Sequence, residues 1–323
     1  MPLKNIKQNI VSSLPSTLVE KIKSFTLPGF DKQPLYSVGK FFVQSLNKGA
    51  LTVRASSIAY NLFLAIFPAL IFFFSLIAYI PIDNLPQELL RILQDVMPTN
   101  AYLSIRSTIL DTVMNKRTGL LSFGFITALY FSTNGINALI AAFNASQFVT
   151  ESRNWLQCRG ISLILLFLLS VLLTLAIGLL VFSQKAFGYL ISHEIIKENI
   201  IYYLIVFGKW LIVILAFFFA ISLLYYLAPA RKSKFRFISA GSSLATILCM
   251  VISLGFSYYV NHFGQYNKIY GSIGTLIVLL IWLYFNALVL LIGYELNWSI
   301  RNSKHSNHFL LADNSIDNDN LKQ

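Results

Sequence analysis

Inside the long apolar runs of this chain the residues with chemical capability are few, and most are amides. Asn61, Asn134, Asn137 and Asn286 fall within such runs, and Glu295 and Asn297 close the last of them. An amide in hydrocarbon is costly unless it is hydrogen-bonded, so each of these must face a protein partner or a polar cavity. Asn134 and Asn137 stand three residues apart and share one helix face, beside Ser132, Thr133 and Gly135. That face suits either an interhelical hydrogen-bond clamp or the lining of a polar cavity. Glu295 lies where its run meets an interface, and Arg54, Arg159 and Arg231 are predicted near that same interface. An acid so placed can be a proton or cation site, or one half of a static ion pair. Hydrolysis of a phosphodiester is a poorer match. A metal-dependent nuclease needs clustered His, Asp or Glu ligands, and His193, His262, His305 and His308 divide between the two predicted sides of a membrane. The nuclease reading is therefore rejected, and no catalytic residue, metal site or cofactor is predicted.

The elements that must position these residues are membrane spans. Of 323 residues, 56% are hydrophobic and only 12% charged, which is too apolar for an ordinary soluble domain. Six runs, near 56–81, 118–143, 161–184, 208–228, 238–261 and 273–300, are each long enough to cross a hydrocarbon core as helix. The alternation of a β-barrel is missing. The fold class read from this pattern is an all-α integral membrane protein, a six-helix transmembrane bundle with interfacial amphipathic helices. It divides into a segment 1–54, a transmembrane domain 55–300, and a polar tail 301–323 that reads as disordered. No secretory signal peptide is visible, so the first span is expected to direct its own insertion. Cys158 and Cys249 read as reduced packing residues rather than a disulfide framework.

A formal charge of +12 invites a nucleic-acid reading, but the basic residues follow topology instead. Seventeen lie in the segments 1–54, 144–160, 229–237 and 301–323, against seven in 82–117, 185–207 and 262–272. The excess predicts that both termini are cytoplasmic, and nucleic acid is excluded as a partner. Arg231, Lys232, Lys234 and Arg236 form the densest basic run, suited to topogenic charge and to contact with anionic headgroups. Membrane lipids are thus the predicted partners.

Smaller signals fill in the rest. Leu35, Val38, Phe42, Leu46, Ala50 and Val53 make one apolar stripe, which predicts a helix over 35–53 lying in the inner interface or packed on the bundle. Pro68 removes a helix donor in the first span. Two short amphipathic helices are predicted within 82–117, broken at Pro98. Glu151, Arg153, Trp155 and Arg159, after Asn144 at the inner end of the second span, read as an interfacial anchor with a local ion pair. Gly241 and Ala245, and Gly271 and Gly274, are small residues spaced for close helix packing.

Taken in order, these residues resemble the YihY/virulence factor BrkB family of bacterial inner-membrane proteins over roughly residues 35–300. The likeness rests on Ala59, Tyr60, Phe67 and Pro68 in the first span, and on Asn144, Trp155 and Arg159 around the first inner loop. It continues through Tyr226, Pro229, Gly241, Ala245, Thr246 and Tyr259. Its most specific part is Tyr270-Gly271-Ser272-Ile273-Gly274, then Trp282 and the closing Gly293, Glu295, Leu296 and Asn297. The chain departs from the family pattern at Ala240, Cys249 and Tyr294. The resemblance implies six spans with both ends inside, and it implies no particular activity. Two functional readings follow from the residues. One is transport of a lipid-like or other amphipathic molecule through a cavity between spans one, two, five and six. The other is a non-transporting, envelope-organising scaffold.

Overall fold

The computed structural model describes residues 26, 30, 33–48, 50–77, 79, 106, 110–111, 117–146, 151–192, 198–230, 238–262 and 272–320. The helices are α1 (Leu35–Lys48), α2 (Leu51–Ile77), α3 (Thr118–Ser146), α4 (Trp155–Ser192), α5 (Glu198–Leu227), α6 (Ala240–His262) and α7 (Ser272–Asn320). Six of them, α2 to α7, are long and apolar enough to cross a bilayer. Among the described residues there is no strand, only an isolated bridge between Thr26 and Pro34. The chain is an all-α membrane bundle.

Helix boundaries differ from the sequence expectation where hydropathy and helix propensity diverge. Hydropathy marks only the stretch that sits in hydrocarbon, whereas a helix continues until a breaker or a cap stops it. Thus α4 begins at Trp155 and α5 at Glu198, outside the spans expected at 161–184 and 208–228. The same reasoning accounts for the largest difference. The polar tail from residue 301 reads as disordered by composition, yet α7 continues to Asn320, and no Gly or Pro stands between Tyr294 and Asn320 to end it. In the other direction, the stripe over 35–53 is not one helix. It breaks at Ala50, whose φ of 44° lies in the left-handed region, so Val53 belongs to the first turn of α2. A non-glycine residue there costs roughly 1 kcal/mol, offset by the backbone bonds that Val53 N and Arg54 N make to the Ala50 carbonyl.

Each spanning helix packs on the next in sequence, α7 closes back on α2, and α1 lies on α7. The side chains of α1 that face α7 form a small apolar cluster in which Val38 meets Phe30 and Ile300. The main core sits at one end of the bundle, where α2, α4 and α6 begin and α3 and α5 finish. Ile58, Phe143, Leu165, Leu291 and Tyr294 are fully buried there. Phe143 stacks on Tyr294 at 4.3 Å between ring centroids, and Tyr225 meets Phe143 edge-on at 5.5 Å. The Tyr225 hydroxyl, which would be costly left alone, donates to the Leu290 carbonyl at 2.6 Å. In the other half of the spans the picture changes: no residue of 206–220, 250–259 or 276–286 is buried.

Candidate functional site

At the packed end the structure brings together a buried acid, a cation and a hydroxyl from three helices. Glu295 of α7 is fully buried. Its Oε1 accepts from Arg54 Nη2 of α2 at 3.0 Å, and its Oε2 accepts from Ser45 Oγ of α1. Arg54 in turn donates through Nη1 to the Ala142 carbonyl at 2.8 Å and to Ser146 Oγ at 2.6 Å, both on α3. Arg54 Nε is buried with no hydrogen-bond partner among the described residues. One guanidinium therefore ties α2, α3 and α7 together, and α1 lies over the carboxylate. Of the three arginines considered from sequence, Arg54 is the partner of Glu295; Arg159 is engaged elsewhere, and Arg231 lies outside the described residues. Ser45 was not foreseen, although it stands seven residues after Val38 and so falls on the same stripe of α1.

The amides do not converge on one cavity. Asn134 Oδ1 accepts from Arg159 Nη2 at 2.6 Å, and Asn137 Oδ1 accepts from Ser162 Oγ at 2.7 Å, so both bind α3 to α4. Asn61 and Asn286 donate to carbonyls four residues back in their own helices, those of Ser57 and Trp282. Asn297 works across α6 and α7: its Oδ1 accepts from Gly241 N at 2.8 Å, and its Nδ2 donates to Ser239 Oγ at 2.9 Å. Ser239 and Ser242 complete that helix start by bonding each other's backbone N–H at 3.2 Å, the reciprocal arrangement of a capping box.

The α6–α7 crossing is tight enough to exclude any side chain. A Cβ on Gly241 would lie 2.1 Å from the Gly293 carbonyl oxygen, and one on Gly293 would lie 2.7 Å from the Ala245 Cβ. Gly274 is buried, while Gly271 lies outside the described residues, as do Lys232, Lys234 and Arg236 and most of 82–117.

A second polar strut joins the ends of α3 and α5. Asn144 Nδ2 donates to Glu151 Oε2 at 2.6 Å, and Asn144 Oδ1 accepts from Ala230 N at 2.9 Å. Arg153 pairs with Glu151 at 2.7 Å and also donates to the Ala228 carbonyl. The Arg153 guanidinium beside Glu151 holds its carboxyl below the usual carboxylate range, while partial burial opposes this more weakly. Among the described residues, no three of His, Cys, Asp and Glu come together in a way that could hold a metal ion.

In the less covered half, Phe256 and Tyr259 of α6 and Val278, Ile281 and Phe285 of α7 line an apolar groove of about 300 Å³. The molecule is therefore a multi-pass membrane protein in which a buried ion pair and several interhelical polar bonds join the helices at one end. Comparison with known proteins makes the assignment more specific. Residues 42–314 match the family model described as virulence factor BrkB, and the chain belongs to that family. It is 33% identical to the ribonuclease-like protein YfkH of Bacillus subtilis, over 76% of this chain and 88% of the relative. It is 28% identical to a UPF0761 membrane protein of Idiomarina loihiensis, over 81% of this chain and 89% of the relative. A UPF0761 membrane protein of Vibrio parahaemolyticus is 26% identical over 82% of both chains. No solved structure matches the chain.

Proposed function

We propose that the protein moves a lipid-like amphipathic molecule across the bacterial cytoplasmic membrane, with both termini on the cytoplasmic side, and that it is not an enzyme. The observation that carries this reading is the fully buried Glu295, closed over by Arg54 and Ser45 at the foot of a bundle whose other half leaves its apolar side chains uncovered. Acyl chains fit against such largely apolar faces at little cost, because lipid tails and leucine side chains are equally apolar. Glu295 and Arg54 form the tie between α2 and α7 that such movement would have to open. The basic run Arg231, Lys232, Lys234 and Arg236 would meet anionic headgroups on the cytoplasmic face. The ribonuclease in the name of the Bacillus relative finds no support in this sequence, whose four histidines are spread over 193, 262, 305 and 308.

The test is exchange of fluorescent phosphatidylglycerol and phosphatidylethanolamine between leaflets of liposomes carrying the purified protein. The expected result is exchange above that of empty liposomes, slowed by Glu295→Gln in protein that retains its fold. Background exchange for both lipids would overturn the proposal. A second reading, an envelope-organising scaffold, is favoured by the engagement of Asn134, Asn137 and Asn297 in fixed interhelical bonds. It predicts background exchange together with a stoichiometric protein partner after gentle extraction.

A further inference from the structure

Arg159 is held in an unusual setting for a cation on a spanning helix. Its guanidinium lies 4.8 Å from the Tyr130 ring centroid and 5.4 Å from that of Trp155. Both rings are exposed on the flank of α3 and α4, at 53% and 67%. Nη1 donates to Thr133 Oγ1 at 2.6 Å and to the Tyr130 carbonyl at 3.5 Å, and Nη2 donates to Asn134 Oδ1. These bonds fix the head group but use only acceptors that carry no charge. The ion pairs among the described residues are Arg54 with Glu295, Arg117 with Asp111 and Arg153 with Glu151, so Arg159 has no carboxylate.

Of the five guanidinium N–H groups, the Nε–H and one Nη2–H remain free among the described residues. They sit on Nε and Nη2, two nitrogens of one guanidinium from which N–H groups can donate to oxygens of one phosphate. The place is also right for a headgroup. Arg159 is one turn into α4, one turn after Trp155, at the end of the bundle where the polar struts lie, and Leu163, one turn further along the same helix, is exposed. Amphipathic rings with a cation between them mark the depth where headgroup and tail meet.

We propose that Arg159, framed by Tyr130 and Trp155, binds the phosphate of an anionic phospholipid in the leaflet at the packed end of the bundle. The site is independent of whether the protein moves lipid. It supplies the missing counter-charge, with the acyl chains lying along Leu163.

The test uses the full chain with Trp210, Trp282 and Trp298 changed to Phe, so that Trp155 alone reports, reconstituted in phosphatidylcholine vesicles. Brominated phosphatidylglycerol should reach Trp155 about fivefold more than brominated phosphatidylcholine at equal mole fraction, the enrichment one basic residue at a charged surface provides. Arg159→Gln should abolish that preference, and Arg159→Lys should keep part of it. Equal quenching by the two lipids, or a preference that survives Arg159→Gln, overturns the proposal. So does loss of the preference when water-soluble glycerophosphate is added, which would make the ligand a free phosphate. If the tryptophan substitutions prevent folding, native mass spectrometry of the otherwise unaltered chain decides. Retention of phosphatidylglycerol that drops in Arg159→Gln supports the site, and unchanged retention overturns it.

Discussion

Helices α6 and α7 touch backbone to backbone where Gly241 meets Gly293, and only a few turns away the same two helices enclose an apolar groove between Phe256 and Phe285. Both regions belong to helices long and apolar enough to cross a membrane, so hydrophobicity does not distinguish them. Lipid offers no reward for hiding a leucine from it, and spanning helices approach closely only where small residues admit contact or polar groups have nowhere else to bond. The packed end has both: Gly241, Ala245 and Gly293 at the crossing, and Arg54, Glu295, Asn297 and Ser239 beside it. The stretches 206–220, 250–259 and 276–286 are chiefly Leu, Ile, Phe, Val and Tyr, and no residue in them is buried. Polar and small residues are thus gathered where α6 and α7 meet most closely.

That contrast can be broken most directly at Glu295. Glu295→Leu leaves Arg54 buried without its counter-charge, and the expected loss is about 3–5 kcal/mol of stability, read as a lower midpoint of thermal unfolding in mild detergent. Replacing Arg54 and Glu295 together by Met should recover much of it, whereas an equally damaged double variant would show that the pair is not the origin of the loss. Next in size, Gly241→Ala should cost on the order of 3 kcal/mol, because its methyl meets a carbonyl oxygen rather than a movable side chain. A neutral result in the same melting assay would mean that α6 and α7 are not held in contact. Smaller still, Ile281→Ala in the open half should change stability by about 0.5 kcal/mol or less, against roughly 2 kcal/mol or more for Ile58→Ala in the packed end. Equal costs at the two positions would erase the distinction between the halves. The smallest effect concerns Glu151. Its carboxyl is held below its ordinary value of 4.5, so the stabilisation from Arg153 is complete above that pH and is lost as pH falls through the lowered value. A melting curve of Glu151→Gln against pH should lack this acid-side loss, and an unchanged profile would assign it to another group.

Much of the fold was legible because membrane spans announce themselves by length and composition alone. Six apolar runs correspond to six spanning helices, with ends displaced where the helix outlasts the hydrocarbon, as at Trp155 and Asn320. The site was legible in part. Glu295, Asn134, Asn137 and Asn297 were picked out because a polar group in an apolar run must have a partner, but nothing in a single sequence says which. The choice of Arg54 over Arg159 depends on which helices are neighbours, and so does the pairing of Asn137 with Ser162. Ser45 went unnoticed because a hydroxyl on an amphipathic stripe reads as surface until the helix is seen lying on α7. The break at Ala50 could not be foreseen either, since alanine favours the helix it here interrupts.

The tie between Arg54 and Glu295 also imposes an order in time. The two residues are 241 positions apart in the chain. At roughly 5–20 residues per second of synthesis, Arg54 waits on the order of 10–50 s before the acid that neutralises it has been made. Until then Arg54 has no Glu295 to pair with, and α1 has no α7 on which to lie. The bundle is fastened by its last span, so a chain that stops short of Glu295 has every earlier helix and no lock.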